Sequence, residues 1–316
     1  MYDIIIVGAG TAGLSAAIYG VRAGKSVLVL EEKVYGGQII SASAVENYPG
    51  IRRISGYEFA EELYGQAMEL GAELQYGKVQ EIRKHSGLMI VRTGRGAYDC
   101  RAVILATGAK NRKLRVEREE ELTGAGVSYC ATCDGAFCRG KDAAVVGGGN
   151  TALEDAVFLS GYCRKVYLIH RRAQFRGEER LIQSLRGKEN VELIMESQVV
   201  RLNGEGHLES IIIRNDRTGG TRELQVAALF IAIGQVPDNG AFSDLVSLDA
   251  YGYIEAGEDC RTASEGIFAA GDCRTKTVRQ LTTAAADGAA AALAACSYLE
   301  ENGLLSATAG GSGESR

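Results

Sequence analysis

Two cysteines three residues apart, Cys130 and Cys133, are followed at once by Asp134. A pair at this spacing can close and open a disulfide, a reversible two-electron step, and an adjacent carboxyl group can carry the proton that a departing thiolate needs. A zinc site would need four ligands. Cys138 could supply a third, but no further cysteine or histidine follows at zinc-site spacing, and His85, His170 and His207 are scattered. No metal is expected. Two inert buried thiols are the plainer alternative, and the position of Asp134 and Gly135 directly behind the pair favours redox use.

Just downstream stands the run Gly147, Gly148, Gly149, Asn150, Thr151, Ala152, and a similar run, Gly8, Ala9, Gly10, Thr11, Ala12, Gly13, opens the chain. Each lies between an expected strand and an expected helix. In that setting the glycines let the backbone approach a pyrophosphate, and the helix start offers N–H donors. The residues that end the next strand separate the two turns. In the first unit this is Glu31, whose carboxylate suits the hydroxyls of an unphosphorylated ribose. In the second it is the stretch His170, Arg171, Arg172 through Arg176. It carries three guanidiniums and no acid, and these can clamp a 2′-phosphate. A solvated basic face is the bland reading of the same charges. The chain thus reads as an electron relay from a nucleotide pair to a dithiol.

The elements around these motifs follow from periodicity. Asp3 to Val7, helix Ala12 to Ala23 and Ser26 to Leu30 make one βαβ unit. Ala143 to Val146, helix Thr151 to Ser160 and Lys165 to Ile169 make another. Between them a helix over Gly56 to Leu70 and strands over Leu74 to Arg83, Leu88 to Arg92 and Tyr98 to Leu105 are expected. Strands over Glu192 to Val200, Leu208 to Arg214 and Arg222 to Ile233 follow the second unit. Another spans Gly266 to Asp272, and an alanine-rich helix spans Leu281 to Leu299. The charged stretch Arg112 to Glu121 and the turn Pro237 to Gly240 read as linkers. They divide an α/β chain into a discontinuous first domain, 1–113 with 241–303, an inserted second domain, 114–240, and a flexible tail, 304–316.

Composition sets the class. The 316 residues are 46% hydrophobic and 24% charged with a net charge of −5, which gives no reason to expect nucleic acid or an anionic membrane as partner. No apolar run reaches the ~20 residues of a membrane span. The start lacks a basic secretory leader, and the eight cysteines form no secreted framework. Cytoplasm is the expected compartment, and Cys100, Cys163, Cys260 and Cys296 are expected to be buried.

Together with Gly36, Gly37 and Gln38, the run Val45 to Gly50, and Gly271 and Asp272 followed by Arg279 and Gln280, these motifs resemble the low-molecular-weight thioredoxin reductases of bacteria, in family order from about Tyr2 to Leu299. The resemblance implies two Rossmann-like dinucleotide-binding domains of the three-layer type, the NADPH domain inserted into the FAD domain, in a homodimer. It implies FAD at Gly8, Gly10, Thr11, Ala12, Gly13, Glu31, Glu32, Gly36, Gly37, Gln38, Asn47, Val79, Thr107, Gly108, Gly271, Asp272, Arg279, Gln280 and Leu281. It implies NADPH at Gly147, Gly149, Asn150, Thr151, Ala152, His170, Arg171, Arg172, Arg176 and Gly234. Cys133 would face the flavin, Cys130 would attack the disulfide of thioredoxin or a thioredoxin-like protein, and Asp134 would be the general acid. The chain departs from the family at Thr11, Cys138, Cys273 and the segment Val116 to Arg118. Cys138 is expected to be buried and inert.

Because the dithiol lies in the same inserted domain as the second turn, a rotation about the linkers is expected between half-reactions. Three rival readings exist: a related flavoprotein fed by ferredoxin or acting as a dithiol oxidase, a nucleotide sensor without catalysis, and the reductase half of a peroxidase system. The second glycine turn and the arginines weigh against the first. The joint presence of dithiol, acid and flavin motifs weighs against the second. The start of the chain directly at its first strand weighs against the third.

Overall fold

The computed structural model describes residues 1–42, 44–85 and 87–310, with the backbone alone at Ser41 and at 303–310. The chain forms two compact units, one of Met1–Lys110 with Val236 onward, the other of Asn111–Gln235. The joins fall a few residues ahead of the expected 113/114 and 240/241. The chain crosses between units through two short strands, Ala109–Asn111 and Gln235–Pro237, which pair with each other.

In the first unit the β-branched run Ile4 to Val7 makes the strand Tyr2–Val7. It lies between Val27–Glu31 and Gly96–Leu105, parallel to both. The parallel sheet continues to Glu73–Tyr76 at one side and to Ile267–Ala269 at the other. Its strands are apolar throughout because both faces are covered. On one face Ile4, Ile6, Val29 and Ile104 pack against the helices Thr11–Arg22 and Leu281–Gly310. On the other, Ile5, Val7, Leu28 and Leu105 meet Ile82 and Val91 of an antiparallel arm. That arm consists of Val79–His85, Leu88–Thr93 and the first half of Gly96–Leu105.

The second unit repeats the plan. Its five parallel strands run in the order Val191–Ile194, Lys165–Ile169, Asp142–Gly147, Ala228–Ala232 and Val127–Ser128. The helices Asn150–Ser160 and Glu179–Arg186 cover one face. An antiparallel sheet of Ser197–Asn203, Ser210–Asn215 and Thr221–Gln225 covers the other. The parallel-sheet α/β class is the one the sequence indicates.

Three expected strands are each two. The stretch 74–83 breaks at Gly77 and Lys78, where the Gly77 N–H donates to the Glu31 carbonyl at 2.7 Å and the chain leaves the parallel sheet for the antiparallel arm. The stretch 192–200 breaks at Glu196, which holds a left-handed φ of +51°. The stretch 222–233 breaks after Gln225, and its halves lie in different sheets. The helix Glu179–Arg186 was not foreseen, although Leu181, Ile182 and Leu185 supply its buried face.

The stretch 112–121 is not a bare linker. The Glu119 carboxylate is 3% exposed and accepts from the backbone N–H groups of Leu114 and Arg115 and from the Tyr129 hydroxyl. The final helix runs to Gly310 rather than Leu299, since leucine and alanine continue past 299 with no proline. That makes the expected tail helical to 310, and residues 311–316 lie outside the described residues. No helix among the described residues is long and apolar enough to cross a membrane.

Candidate active site

The dithiol follows the strand Val127–Ser128 of the second unit. Cys130 caps the short helix Ala131–Asp134, whose Ala131 is sunk in the core, and the chain tightens into a 3₁₀ turn over Gly135–Cys138. Cys130 and Cys133 are joined in a disulfide with Cα atoms 5.3 Å apart, and both are half-buried. The Asp134 carboxylate accepts a hydrogen bond from the Ser128 hydroxyl at 2.6 Å. Burial raises the carboxyl above its usual range, against the lowering effect of that bond. A half-buried acid with raised proton affinity is suited to give a proton to a leaving thiolate. Cys138 is buried, and burial pushes its thiol up, so at neutral pH it is a thiol and not a nucleophile. The six cysteines outside the disulfide are all buried. Among the described residues no group of three or more His, Cys, Asp or Glu could hold a metal ion.

The second glycine turn lies in the same unit, between Asp142–Gly147 and Asn150–Ser160. A Cβ on Gly147 would stand 2.3 Å from the Ala232 carbonyl oxygen, so only glycine lets these backbones meet. The helix begins on Gly149 with no side-chain cap and no acid in its first turn, leaving its N–H donors for an anion. Thr151 is exposed and Ala152 buried, while Asn150 exchanges two hydrogen bonds with Glu178. Gly234 follows the end of the neighbouring strand Ala228–Ala232, at the same end of the sheet as the glycine turn, and its carbonyl accepts from the Arg112 N–H.

Arg171, Arg172 and Arg176 are exposed beyond the second strand. His170 is not with them. It is 5% exposed, packs under Gly148, stacks on Phe175 and bonds through Nε2 to the Gln174 carbonyl at 3.0 Å. Burial, backed by the neighbouring arginines, lowers its pKa. His170 therefore shapes the loop that presents the arginines, and the Arg176 N–H ties that loop to the Gly148 carbonyl at 2.7 Å.

In the first unit, Gly8 has a φ of +107°, and a Cβ there would stand 2.4 Å from the Ala106 carbonyl oxygen. A Cβ on Gly13 would stand 1.9 Å from the Gly8 carbonyl oxygen. The helix Thr11–Arg22 starts on Gly10, again with no side-chain cap and no acid in its first turn. Glu31 is held at the strand end by the N–H groups of Ala9 and Lys33, at 2.8 and 2.9 Å. Glu32 pairs with Lys78 at the surface. The Gly36 N–H bonds the Ala9 carbonyl, Gly37 opens the next 3₁₀ turn, and the Gln38 amide reaches the Ala109 carbonyl. Asn47 donates to Gln280 at 3.1 Å. Thr107, beside Gly108, donates to Asn239 at 2.8 Å, and Asn239 is buried and bonded to the carbonyls of Gly252 and Cys273. The Val79 side chain is in the core.

Gly271 and Asp272 form a 3₁₀ turn facing the start of the helix Leu281–Gly310. Asp272 Oδ1 is buried without a hydrogen-bond partner, one of two such side-chain atoms among the described residues, and burial pushes its carboxyl up. A ligand hydroxyl or N–H would satisfy it. With two uncapped helix starts and two glycine cradles, that orphan acceptor fits a pair of dinucleotides. Arg279 lies over the Tyr253 ring, its guanidinium 4.2 Å from the centroid.

Sequence reasoning missed Asp287, which holds the turn in place. Its carboxylate accepts from the Gly271 N–H, twice from Arg274 and once from Lys276, at 2.8–2.9 Å, and all three side chains are below 10% exposure. Burial alone would raise its pKa, but the two cations bring it below the usual 3.8. A carboxyl with a depressed folded pKa lends stability above its unfolded value and loses it only as pH falls through the depressed one. Replacing Asp287 by Asn leaves two buried cations uncompensated, at a cost of about 3–5 kcal/mol. We expect the melting midpoint of Asp287→Asn to fall by about 10 °C at pH 7 and by less at a pH low enough to protonate Asp287 in the folded parent. Thermal unfolding followed by circular dichroism at the two pH values checks this.

Residues 2–288 match the model of the pyridine nucleotide-disulphide oxidoreductases. A thioredoxin reductase of Treponema pallidum is 44% identical over 95% of this chain and 97% of its own. The crystal structure of a thioredoxin reductase from Streptococcus pyogenes is 40% identical, covers 95% of this chain and 99% of its own, and superimposes with a TM-score of 0.91. A Lactococcus lactis thioredoxin reductase, described as being in an FR conformation, is 38% identical, covers 95% and 100%, and superimposes at 0.66. The chain belongs to the pyridine nucleotide-disulphide oxidoreductase family, and the resemblance to thioredoxin reductases drawn from its motifs holds along nearly all of its length.

Proposed function

We propose that this chain is an FAD-dependent thioredoxin reductase that takes its electrons from NADPH. The observation that carries the reading is the Cys130–Cys133 disulfide with the Asp134 carboxyl beside it, in the same unit as an uncapped glycine turn flanked by arginines. The first unit holds FAD through Gly8 to Gly13, Glu31, Gly36 to Gln38 and Asp272. The second holds NADPH through Gly147 to Ala152 and Arg171, Arg172 and Arg176. When bound, FAD supplies the means of passing a hydride's two electrons from NADPH to a disulfide.

The protein's own residues do the rest. Once the pair is reduced, the Cys130 thiolate attacks the disulfide of thioredoxin and forms a mixed disulfide, and Asp134 gives a proton to the thiolate that leaves. Cys133 then attacks Cys130 Sγ, closing the Cys130–Cys133 disulfide and freeing the second thiol. Two electrons leave the pair and two reach thioredoxin.

The dithiol and the NADPH turn belong to one unit and the FAD turn to the other, so the reaction calls for rotation about the crossings at 109–111 and 235–237. The protein works as a homodimer in the cytoplasm. The family supports the dimer, as does an open groove in the first unit among the helices Thr11–Arg22, Gly56–Glu69 and Leu281–Gly310, lined largely by apolar side chains such as Ile18, Tyr19, Tyr48 and Leu63.

The test is oxidation of NADPH by the FAD-loaded protein with thioredoxin as acceptor and NADH as a parallel donor. Turnover with NADPH and little with NADH is expected. A preference for NADH would overturn the cofactor assignment, and no thioredoxin-dependent turnover would overturn the function.

A further inference from the structure

We infer that Ser128 is a positioning residue of the dithiol reaction, its hydroxyl pinning the Asp134 carboxylate to the backbone of Cys130. The inference rests on the reading of the dithiol given above and adds a residue to it.

Ser128 ends a short strand that pairs with the strand carrying Phe230, and it is 8% exposed. Its backbone is therefore fixed by the sheet and not by the active-site turn. The hydroxyl accepts from the Cys130 N–H at 3.1 Å and lies 2.6 Å from Asp134 Oδ2. An amide N–H can only donate, so the Ser128 proton is free to point at the carboxylate. A weaker contact, 3.4 Å to the Cys130 carbonyl, competes for it. The Asp134 N–H in turn donates to the Cys130 carbonyl at 3.1 Å. One side-chain oxygen thus fixes the spacing of proton donor and attacking residue. It is also a donor already in place for the negative charge that appears on Asp134 once its proton has gone to the departing thiolate, which is where a preorganised dipole helps most.

Other titratable groups surround the acid. The 3₁₀ turn brings Cys138, whose proton affinity is raised first by burial and then by Asp134. The helix Asn150–Ser160, packed on the active-site turn, carries Glu154 and Asp155, and burial pushes Asp155 up to about 7. Tyr162 Oη lies against Gly135, with Arg139 over the Tyr162 ring. None of these touches Ser128 through a hydrogen bond, so a change at Ser128 should act on Asp134 and on the Cys130 backbone it is pinned to, not on these groups.

The experiment is a single turnover of the reduced, FAD-loaded enzyme with oxidised thioredoxin across the pH range in which the protein stays folded. It compares the parent with Ser128→Ala, Ser128→Thr and Asp155→Asn. Loss of a donor to the charged form raises a carboxyl's pKa, so the alkaline limb in Ser128→Ala should move to higher pH. The rate below that limb should fall about tenfold or more, a part of what a placed general acid contributes. Ser128→Thr should restore both, and Asp155→Asn should leave the limb in place. A Ser128→Ala profile matching the parent, or a uniform loss of rate that threonine does not repair, would overturn the inference. Infrared titration of the Asp134 carboxyl in the oxidised enzyme tests the same coupling without any partner protein. An unmoved titration in Ser128→Ala defeats the role of Ser128, whereas failure of the parent with thioredoxin defeats only the functional reading.

Discussion

Replacing Cys133 by serine should lower thioredoxin reduction by roughly four orders of magnitude or more, because a covalent route loses one of its two sulfurs. The same variant should trap thioredoxin. Cys130 can still attack the partner's disulfide when presented as a free thiolate, but no second thiol remains to release the mixed disulfide. A covalent adduct should therefore build up on a non-reducing gel and vanish on adding dithiothreitol. Cys130→Ser should be as inactive and should form no adduct. Both cysteines are half-buried in the structure, so exposure does not by itself say which one meets the partner. The gel does: an adduct with Cys130→Ser and none with Cys133→Ser would reverse the two roles. Neither substitution touches the glycine turns, and the bleaching of flavin absorbance by NADPH should persist in both. Six further cysteines are present, and their burial keeps them from standing in for the lost sulfur.

The features that were legible in the sequence share one property, namely that a few consecutive residues determine them. Ile4 to Val7 has the length and β-branching of a strand buried on both faces, and Gly8 and Gly13 sit where any Cβ would meet backbone. The strand breaks at Gly77, Glu196 and Val226 were not legible in the same way. There the pairing partner decides where one sheet ends and another starts. His170 shows the same limit at the site. Its place beside three arginines suggested a ligand contact, but a short-range pattern does not reveal that Phe175 and Gly148 enclose its ring. Asn239, Ser128 and Asp287 were missed because each acts through groups that the fold brings together. Asp287 had left a signal, since it is the only charged residue between Leu281 and Leu299. A lone carboxylate in an alanine-rich helix asks for a buried cation, and here it has two.

Changing Arg171 and Arg172 together to alanine should cut kcat/KM for NADPH roughly a hundredfold while leaving that for NADH almost unchanged. The two cofactors differ only in the 2′-phosphate, so a loss confined to one of them locates the clamp at that group. Guanidinium–phosphate bonds are charge-assisted and among the stronger hydrogen bonds a protein makes. Here both side chains are exposed, which makes the effect dependent on salt, and the gap between parent and variant should narrow as ionic strength rises. The fold should not respond, because the loop is held by groups that the variant keeps, the His170 bond to Gln174 and the Arg176 N–H bond to Gly148. His170→Ala makes the opposite comparison. It leaves the charges in place but removes the ring under Gly148, so it should weaken NADPH and NADH alike through the shape of the glycine turn. Equal losses of both cofactors in the arginine variant, or none in either, would mean that the basic run is a solvated face and that Arg176 or another cation meets the phosphate. Steady-state assays with the two donors at two salt concentrations separate these outcomes.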